Sequence, residues 1–281
     1  MSDIGVYEVG PRDGLQSAAI NFSTDDKVEM IHLLQQAGLS KIEVGSFVHP
    51  QRVPNMADSD EVYQRVSELD CELGVLVPNQ RGLDRAKVVG ASKFNVFLSP
   101  SNTFNQRNLK LQLDDIFSSY KAMLYGIPKR DIRVYVSHAF GCPVEGRADL
   151  WDLHDILSQC AILGDNVVLC DTVGMAEVED MKEVLSVTDN IRARWSIHLH
   201  HNYQKHEKIL DNVQVAYDYG IREFDSSIGG LGGCPFSPGS GANLATEELI
   251  HWADKNNLDA GLSIEDLQQS LHFVKEKSER I

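Results

Sequence analysis

The chain has 281 residues, 42% hydrophobic and 24% charged, the balance of an ordinary globular protein. Its 41 acidic against 26 basic residues give a formal charge of −15, which argues against a nucleic-acid or anionic-membrane partner, since both require a basic surface. Five scattered cysteines (Cys71, Cys142, Cys160, Cys170 and Cys234) form no Cys-x-x-Cys pair, so a disulfide scaffold or structural zinc is not expected and a reducing compartment is favoured. The N-terminus enters an apolar strand without a basic and apolar leader, and no run of about eighteen apolar residues occurs. A cytoplasmic protein is the expectation.

Eight β-branched runs are predicted as strands: Ile4–Val9, Lys41–Ser46, Glu72–Val77, Phe94–Leu98, Ile132–Ser137, Asn166–Cys170, Ser196–His200 and Glu223–Ser226. Helical patterns alternate with them. In Thr24–Ala37, Val28, Ile31, Leu33, Leu34 and Ala37 form one stripe, Thr24 is placed to cap it and Gly38 to stop it. Similar segments run near Asp60–Glu68, Asn79–Val89, Asp114–Tyr125, Ala148–Leu163, Val178–Thr188, Glu207–Tyr219, Ala245–Lys255 and Ile264–Lys277. Strand–helix alternation over this length predicts the α/β class and a (β/α)8 TIM barrel, for which about 250 residues is typical. A doubly wound open sheet is the competitor, weakened by the lack of a Gly-x-Gly-x-x-Gly after the first strand. No linker or shift in composition divides the chain, so residues 1–281 are expected to form a single domain, with an extra C-terminal helix outside the barrel or across one end.

A barrel carries its chemistry at the C-terminal ends of its strands. Arg12, Asp13 and Gln16 follow the first strand there, and Glu43 lies within the second. His138 follows the fifth, Asp171 ends the sixth, and Cys234 and Asn243 lie in the glycine-rich stretch after the eighth. In the seventh, His198 and His200 share one face of the strand, about 7 Å apart at their backbones, and can converge on a divalent metal if an oxygen ligand is supplied from elsewhere. Alone, the same spacing describes two polar residues at a strand end.

These stretches resemble the 3-hydroxy-3-methylglutaryl-CoA lyase family, within the metal-dependent barrel lyases and Claisen-type synthases. The resemblance runs from Glu8-Val-Gly-Pro-Arg-Asp-Gly-Leu-Gln16 through Ser46-Phe-Val-His-Pro50, Gly141-Cys-Pro-Val-Glu-Gly146, Asp171-Thr-Val-Gly174 and Gly229-Gly-Leu-Gly-Gly-Cys-Pro235 to Asn243-Leu-Ala-Thr-Glu-Glu248. It implies that Asp13, His198, His200 and Asn243 ligate a divalent cation, Mg2+ or Mn2+ first and Zn2+ or Co2+ next by donor type. It further implies Arg12 as the catalytic arginine, Cys234 as the loop cysteine, and Glu43, Asp171 and Glu247 as supports of the site. The implied substrate is an acyl-CoA with a 3-hydroxy-3-methylglutaryl-like acyl group, cleaved to acetyl-CoA and a keto acid such as acetoacetate. A homodimer is the implied assembly.

The chain also departs from that pattern. His201-Asn202-Tyr203-Gln204 stands where the family continues Asp-Thr-Tyr-Gly, and Ser17-Ala18-Ala19 replaces an Asn-Glu-Lys run. His201 is expected to face away from His200, supporting the site or facing substrate rather than adding a ligand, with Gln204 beside it and Arg107 available for a phosphate or carboxylate. Three other readings remain in view. They are a lyase for another 3-hydroxy acyl-CoA, a synthase condensing acetyl-CoA with a 2-oxo acid, and a catalytically silent barrel.

Overall fold

A computed structural model describes residues 2–16, 18, 22–202, 209–232 and 240–278. The strands are β1 (Gly5–Glu8), β2 (Lys41–Ser46), β3 (Glu72–Leu76), β4 (Lys93–Leu98), β5 (Ile132–Ser137), β6 (Asn166–Asp171), β7 (Arg194–Asn202), β8 (Glu223–Ser226) and β9 (Ser240–Asn243). Strands β1 to β8 pair in parallel in chain order, and the β8–β1 and β6–β7 pairings close the ring. A closed ring excludes the doubly wound sheet. Central strands buried on both faces explain runs such as Asn166-Val-Val-Leu-Cys-Asp171, in which every residue is buried.

Around the ring lie α1 (Thr24–Gln36), α2 (Ser59–Val66), α3 (Gln80–Val88), α4 (Asn102–Asn108), α5 (Leu113–Met123), α6 (Leu150–Leu163), α7 (Val178–Ser186), α8 (Ile209–Asp218), α9 (Thr246–Lys255) and α10 (Ile264–Ser278). The first helix corrects one expectation: Ser23, not Thr24, is the cap, in a reciprocal box with Asp26. Thr24 Oγ1 instead donates to Asp58 at 2.8 Å. Helix α10 packs on α1 outside the barrel, where Lys277 pairs with Asp26 and Phe22 meets Phe273 edge to face at 6.4 Å. Cys160 and Cys170 are buried and Cys71 is half-buried.

Two irregularities aim side chains at the rim. Pairing of β2 with β3 slips between Glu43 and Gly45, placing one extra residue, Val44, in β2. Such a bulge reverses alternation, so Glu43 and Ser46 both point into the barrel. Strand β9 leaves the ring and pairs antiparallel with the end of β7, His200 opposite Asn243.

The interior of the barrel is polar at its floor. Arg133 ion-pairs with Glu223 and Asp225 and lies over the Tyr7 ring, 4.1 Å from its centroid. Glu223 also takes Lys41, Asn166 and Ser196. A buried arginine is tolerable here because every charge has a partner.

Candidate metal centre and active site

After β1 the chain makes one wide turn, Gly10–Gly14, in which the N–H groups of Arg12, Asp13 and Gly14 all bond the carbonyl of Val9, at 3.1, 2.7 and 3.2 Å. This turn sets Arg12 and Asp13 side by side at the mouth. Gly14 must be glycine, since a Cβ there would lie 2.8 Å from Leu231 Cβ. Arg12 Nε and Nη2 each lie 2.5 Å from Glu43 Oε2, and Nη1 lies 2.5 Å from Asp13 Oδ1. The other Glu43 oxygen accepts from Asn95 at 2.6 Å. Burial pushes the Glu43 carboxyl up, only partly offset by Arg12. Burial acts the same way on Asp13, but Arg12 and the two imidazoles outweigh it and hold that carboxyl well below its ordinary range.

His198 and His200 project inward from β7, 4% and 5% exposed. His198 Nδ1 lies 3.2 Å from Asp225 Oδ2 and His200 Nδ1 lies 3.2 Å from the Gly241 carbonyl. Both partners only accept, so each Nδ1 carries a proton, and in a neutral ring Nε2 then presents a lone pair. The two Nε2 atoms are 2.9 Å apart. Lone pairs at that distance repel unless a cation is shared, and about 3.0 Å separates two ligands on adjacent sites of an octahedral ion with bonds of about 2.1 Å. Burial and the neighbouring His198 lower the His200 pKa to about 3, which keeps that ring neutral. Asp13, His198 and His200 form a group able to hold a metal ion.

Asn243 lies beside this group. Its Nδ2 donates to Asp13 Oδ2 at 2.9 Å and to the Leu231 carbonyl at 2.8 Å, which leaves Oδ1 buried without a partner among the described residues. An orphaned buried acceptor costs about 1–3 kcal/mol, a deficit that a cation removes. Asparagine is in place before any ligand arrives.

The remaining expected residues are spread more widely. Glu247 Oε2 accepts from the Gly229 amide at 3.1 Å and braces the glycine-rich turn. Asp171 accepts from the amides of Met175 and Ala176 at 3.0 and 2.7 Å, folding its own loop. His201 turns from the metal group and pairs with Glu248 at 2.7 Å. Gln16 and Arg107 line a cleft of about 500 Å³ between the loops after β1 to β4, with His49, Arg52 and Asn79. Cys234 and Gln204 lie outside the described residues.

Sequence reading missed four residues. Among the described residues, Ser46 Oγ, Tyr135 Oη and Thr172 Oγ1 are shielded from solvent and lack a partner, as does Gln16 Oε1, and all come from the same strands and rim. Unpaired polar atoms collected at one end of a barrel mark where a substrate's own polar groups go. Glu8, 0% exposed, accepts from the amides of Gly10 and Ile228 and from Thr246, tying three rim segments together. Its signal was a carboxylate in an apolar strand.

A closed parallel barrel with a buried arginine, a carboxylate and two imidazoles at its C-terminal rim defines an enzyme of the barrel class. The chain matches the HMGL-like family over residues 3–274. It is 33% identical over 277 residues to the mitochondrial hydroxymethylglutaryl-CoA lyase of Homo sapiens, covering 96% of this chain and 84% of that one. It is 34% identical over 288 residues to a hydroxymethylglutaryl-CoA lyase of Bacillus subtilis, covering 98% and 93%. Its fold matches that of hydroxymethylglutaryl-CoA lyase from Pseudomonas aeruginosa with a TM-score of 0.92 at 29% identity, over 100% and 94% of the two chains. It also matches an HMG-CoA lyase from Acenitobacter baumannii, solved with coenzyme A and 3-methylmalate, with a TM-score of 0.91 at 32% identity, over 98% and 90%. The chain belongs to the HMGL-like family and is a carbon–carbon lyase. No helix among the described residues is long and apolar enough to cross a membrane.

Proposed function

We propose that the chain is a divalent-metal-dependent lyase cleaving a 3-hydroxy-3-methylglutaryl-CoA-like thioester to acetyl-CoA and a keto acid such as acetoacetate. The observation that carries this reading is the donor set. Two imidazoles have their Nε2 atoms turned on each other, beside a carboxylate and an amide oxygen unpartnered among the described residues. Asp13, His198, His200 and Asn243 would hold the cation, and this oxygen and nitrogen set suits Mg2+ or Mn2+. When bound, the cation supplies Lewis acidity that makes a tertiary hydroxyl easier to deprotonate.

Arg12 supports the other half of the reaction. Breaking the carbon–carbon bond leaves an acetyl-CoA enolate, whose oxygen needs a permanent positive charge in a water-poor site. Of the guanidinium's five N–H groups, three face Glu43 and Asp13, leaving one on each terminal nitrogen for that oxygen. Glu43 and Asp13 hold the plane of the guanidinium before substrate arrives, so little reorganisation accompanies charge development. Cys234 is proposed to protonate the enolate carbon, a role taken from the family resemblance.

Purified protein incubated with Mg2+ or Mn2+ and hydroxymethylglutaryl-CoA should release acetyl-CoA. Cleavage of a related thioester from a panel, and not of this one, would retain the lyase and replace the substrate. Loss of all turnover together with absence of bound metal would favour the silent barrel.

A further inference from the structure

Beneath the metal group lies a carboxylate that this reading leaves without a role. Asp225, on β8, is 1% exposed and divides its oxygens. Oδ1 accepts from Arg133 Nη2, and Oδ2 lies 3.2 Å from His198 Nδ1. Arg133 cannot swing away. Its Nη1 is held by Glu223, and its guanidinium lies between the Tyr7 and Tyr135 rings, 4.1 and 5.5 Å from their centroids. The other imidazole gets its support from a backbone carbonyl, at Gly241. Only His198 depends on a side chain for its tautomer.

We propose that Asp225 is a positioning residue that fixes His198 in the tautomer protonated on Nδ1, and that Arg133 determines which Asp225 oxygen does so. The inference rests on the metal reading above. A ligating imidazole needs its unprotonated nitrogen toward the ion and its other N–H on an acceptor. Asp225 can only accept, and its second oxygen is occupied by a guanidinium that can only donate. The arrangement therefore has one proton pattern from Glu223 to His198 Nε2.

That pattern makes an unusual ordering of variants. In Asp225→Asn the Arg133 N–H retains the amide oxygen, which turns the NH2 group toward His198 Nδ1. An NH2 group donates, so the ring must shift its proton to Nε2 and lose its metal-facing lone pair. Asp225→Ala, the larger structural change, leaves Nδ1 free to keep its proton. The conservative variant should therefore bind metal more weakly than the truncation.

The test uses two measurements on full-length protein: the His198 tautomer from long-range 1H–15N correlations without metal, and Mn2+ affinity by competition with a chromophoric chelator. Asp225→Asn should move the His198 proton to Nε2 and weaken Mn2+ binding by about 100-fold, against about tenfold for Asp225→Ala, the range found for partners of metal ligands. Asp131→Asn breaks the half-buried Lys93 ion pair without touching Arg133, Asp225 or His198 and should keep both wild-type values. An unchanged tautomer in Asp225→Asn, or a larger loss in Asp225→Ala, would overturn the proposal even if one variant is unstable. Failure of the wild type to bind Mn2+ would overturn the metal reading instead, while the metal-free tautomer still decides the role of Asp225.

Discussion

Asn243 and Arg12 show at single-residue scale how the site is prepared. Asn243 spends its two N–H bonds on Asp13 and Leu231, so its oxygen is the one atom of the side chain free to act. Asn243→Ala should weaken Mn2+ binding by about tenfold to 100-fold, read by dialysis and metal analysis. Wild-type metal content would remove it from the ligand set. In the proposed reaction Arg12 supplies charge rather than coordination. Arg12→Met should therefore lower kcat by at least about 100-fold at saturating Mn2+ with metal still bound, because its contact with the enolate oxygen is made only as charge develops. A mild kcat effect would reject that role. The two outcomes separate residues that lie within one hydrogen-bonded cluster.

At the scale of elements, the eight ring strands were legible because parallel strands buried on both faces keep an apolar signal and helices separate them. The elements that finish the site were not. Ser240-Gly-Ala-Asn243 has no β-branched residue, so β9 looks like loop, and its reason appears only where Gly241 crosses His201. A Cβ on Gly241 would lie 1.9 Å from the His201 carbonyl. Gly241→Ala should push β9 from β7 and lower metal affinity through Asn243 and the support of His200, while Gly5→Ala, whose Cβ would meet nothing nearer than 3.7 Å, serves as the control. Equal affinities would contradict the geometry. The bulge at Val44 was invisible for another reason: in a strand buried on both faces, a one-residue slip leaves the apolar pattern unaltered. Glu8 joins three such elements, and its effect depends on pH. Burial raises its carboxyl to about 7, against the offsetting bonds from Thr246, Ile228 and Gly10. Because the folded pKa is above the unfolded one, its stabilising contribution is complete below the unfolded value and is lost as pH rises through about 7. Glu8→Gln keeps the same partners, since an amide can donate to the Thr246 hydroxyl. It should remove about 3 kcal/mol of stability loss between pH 5 and 8, measured by denaturant unfolding. Parallel pH profiles for both proteins would refute this.

At the scale of the whole molecule, barrel closure brings together residues as far apart as Asp13 and Asn243, 230 positions apart, so the site exists only when the ring is shut. The same closure sorts charge. The site's motifs were legible in sequence, but this sorting was not, because net charge says nothing about where a few cations gather. Two clefts flank the rim. One, of about 400 Å³, is lined by Asp114, Glu145, Asp152 and Asp155 with Arg147, which is already tied to Asp180 and Glu183. The other, of about 500 Å³, presents Arg52, Arg107 and His49 and has no carboxylate among the described residues of its lining. In a molecule of formal charge −15, an acyl-CoA with several phosphate charges is repelled from most of the surface and from the first cleft. For the acyl-CoA substrate proposed above, the second is the expected approach for the nucleotide end, with Gln16 on the side of Arg12 and Asp13. Arg52→Glu and Arg107→Glu should each raise KM by about fivefold to tenfold, roughly 1 kcal/mol per exposed contact, with kcat nearly unchanged because neither touches the reacting carbons. The wild-type KM should rise with ionic strength, and that rise should shrink in the double variant, since screening acts on the attraction being removed. Asp152→Lys in the opposite cleft should leave KM within twofold. If it lowers KM more than the arginine variants raise it, the substrate enters by the acidic side and the charge argument fails.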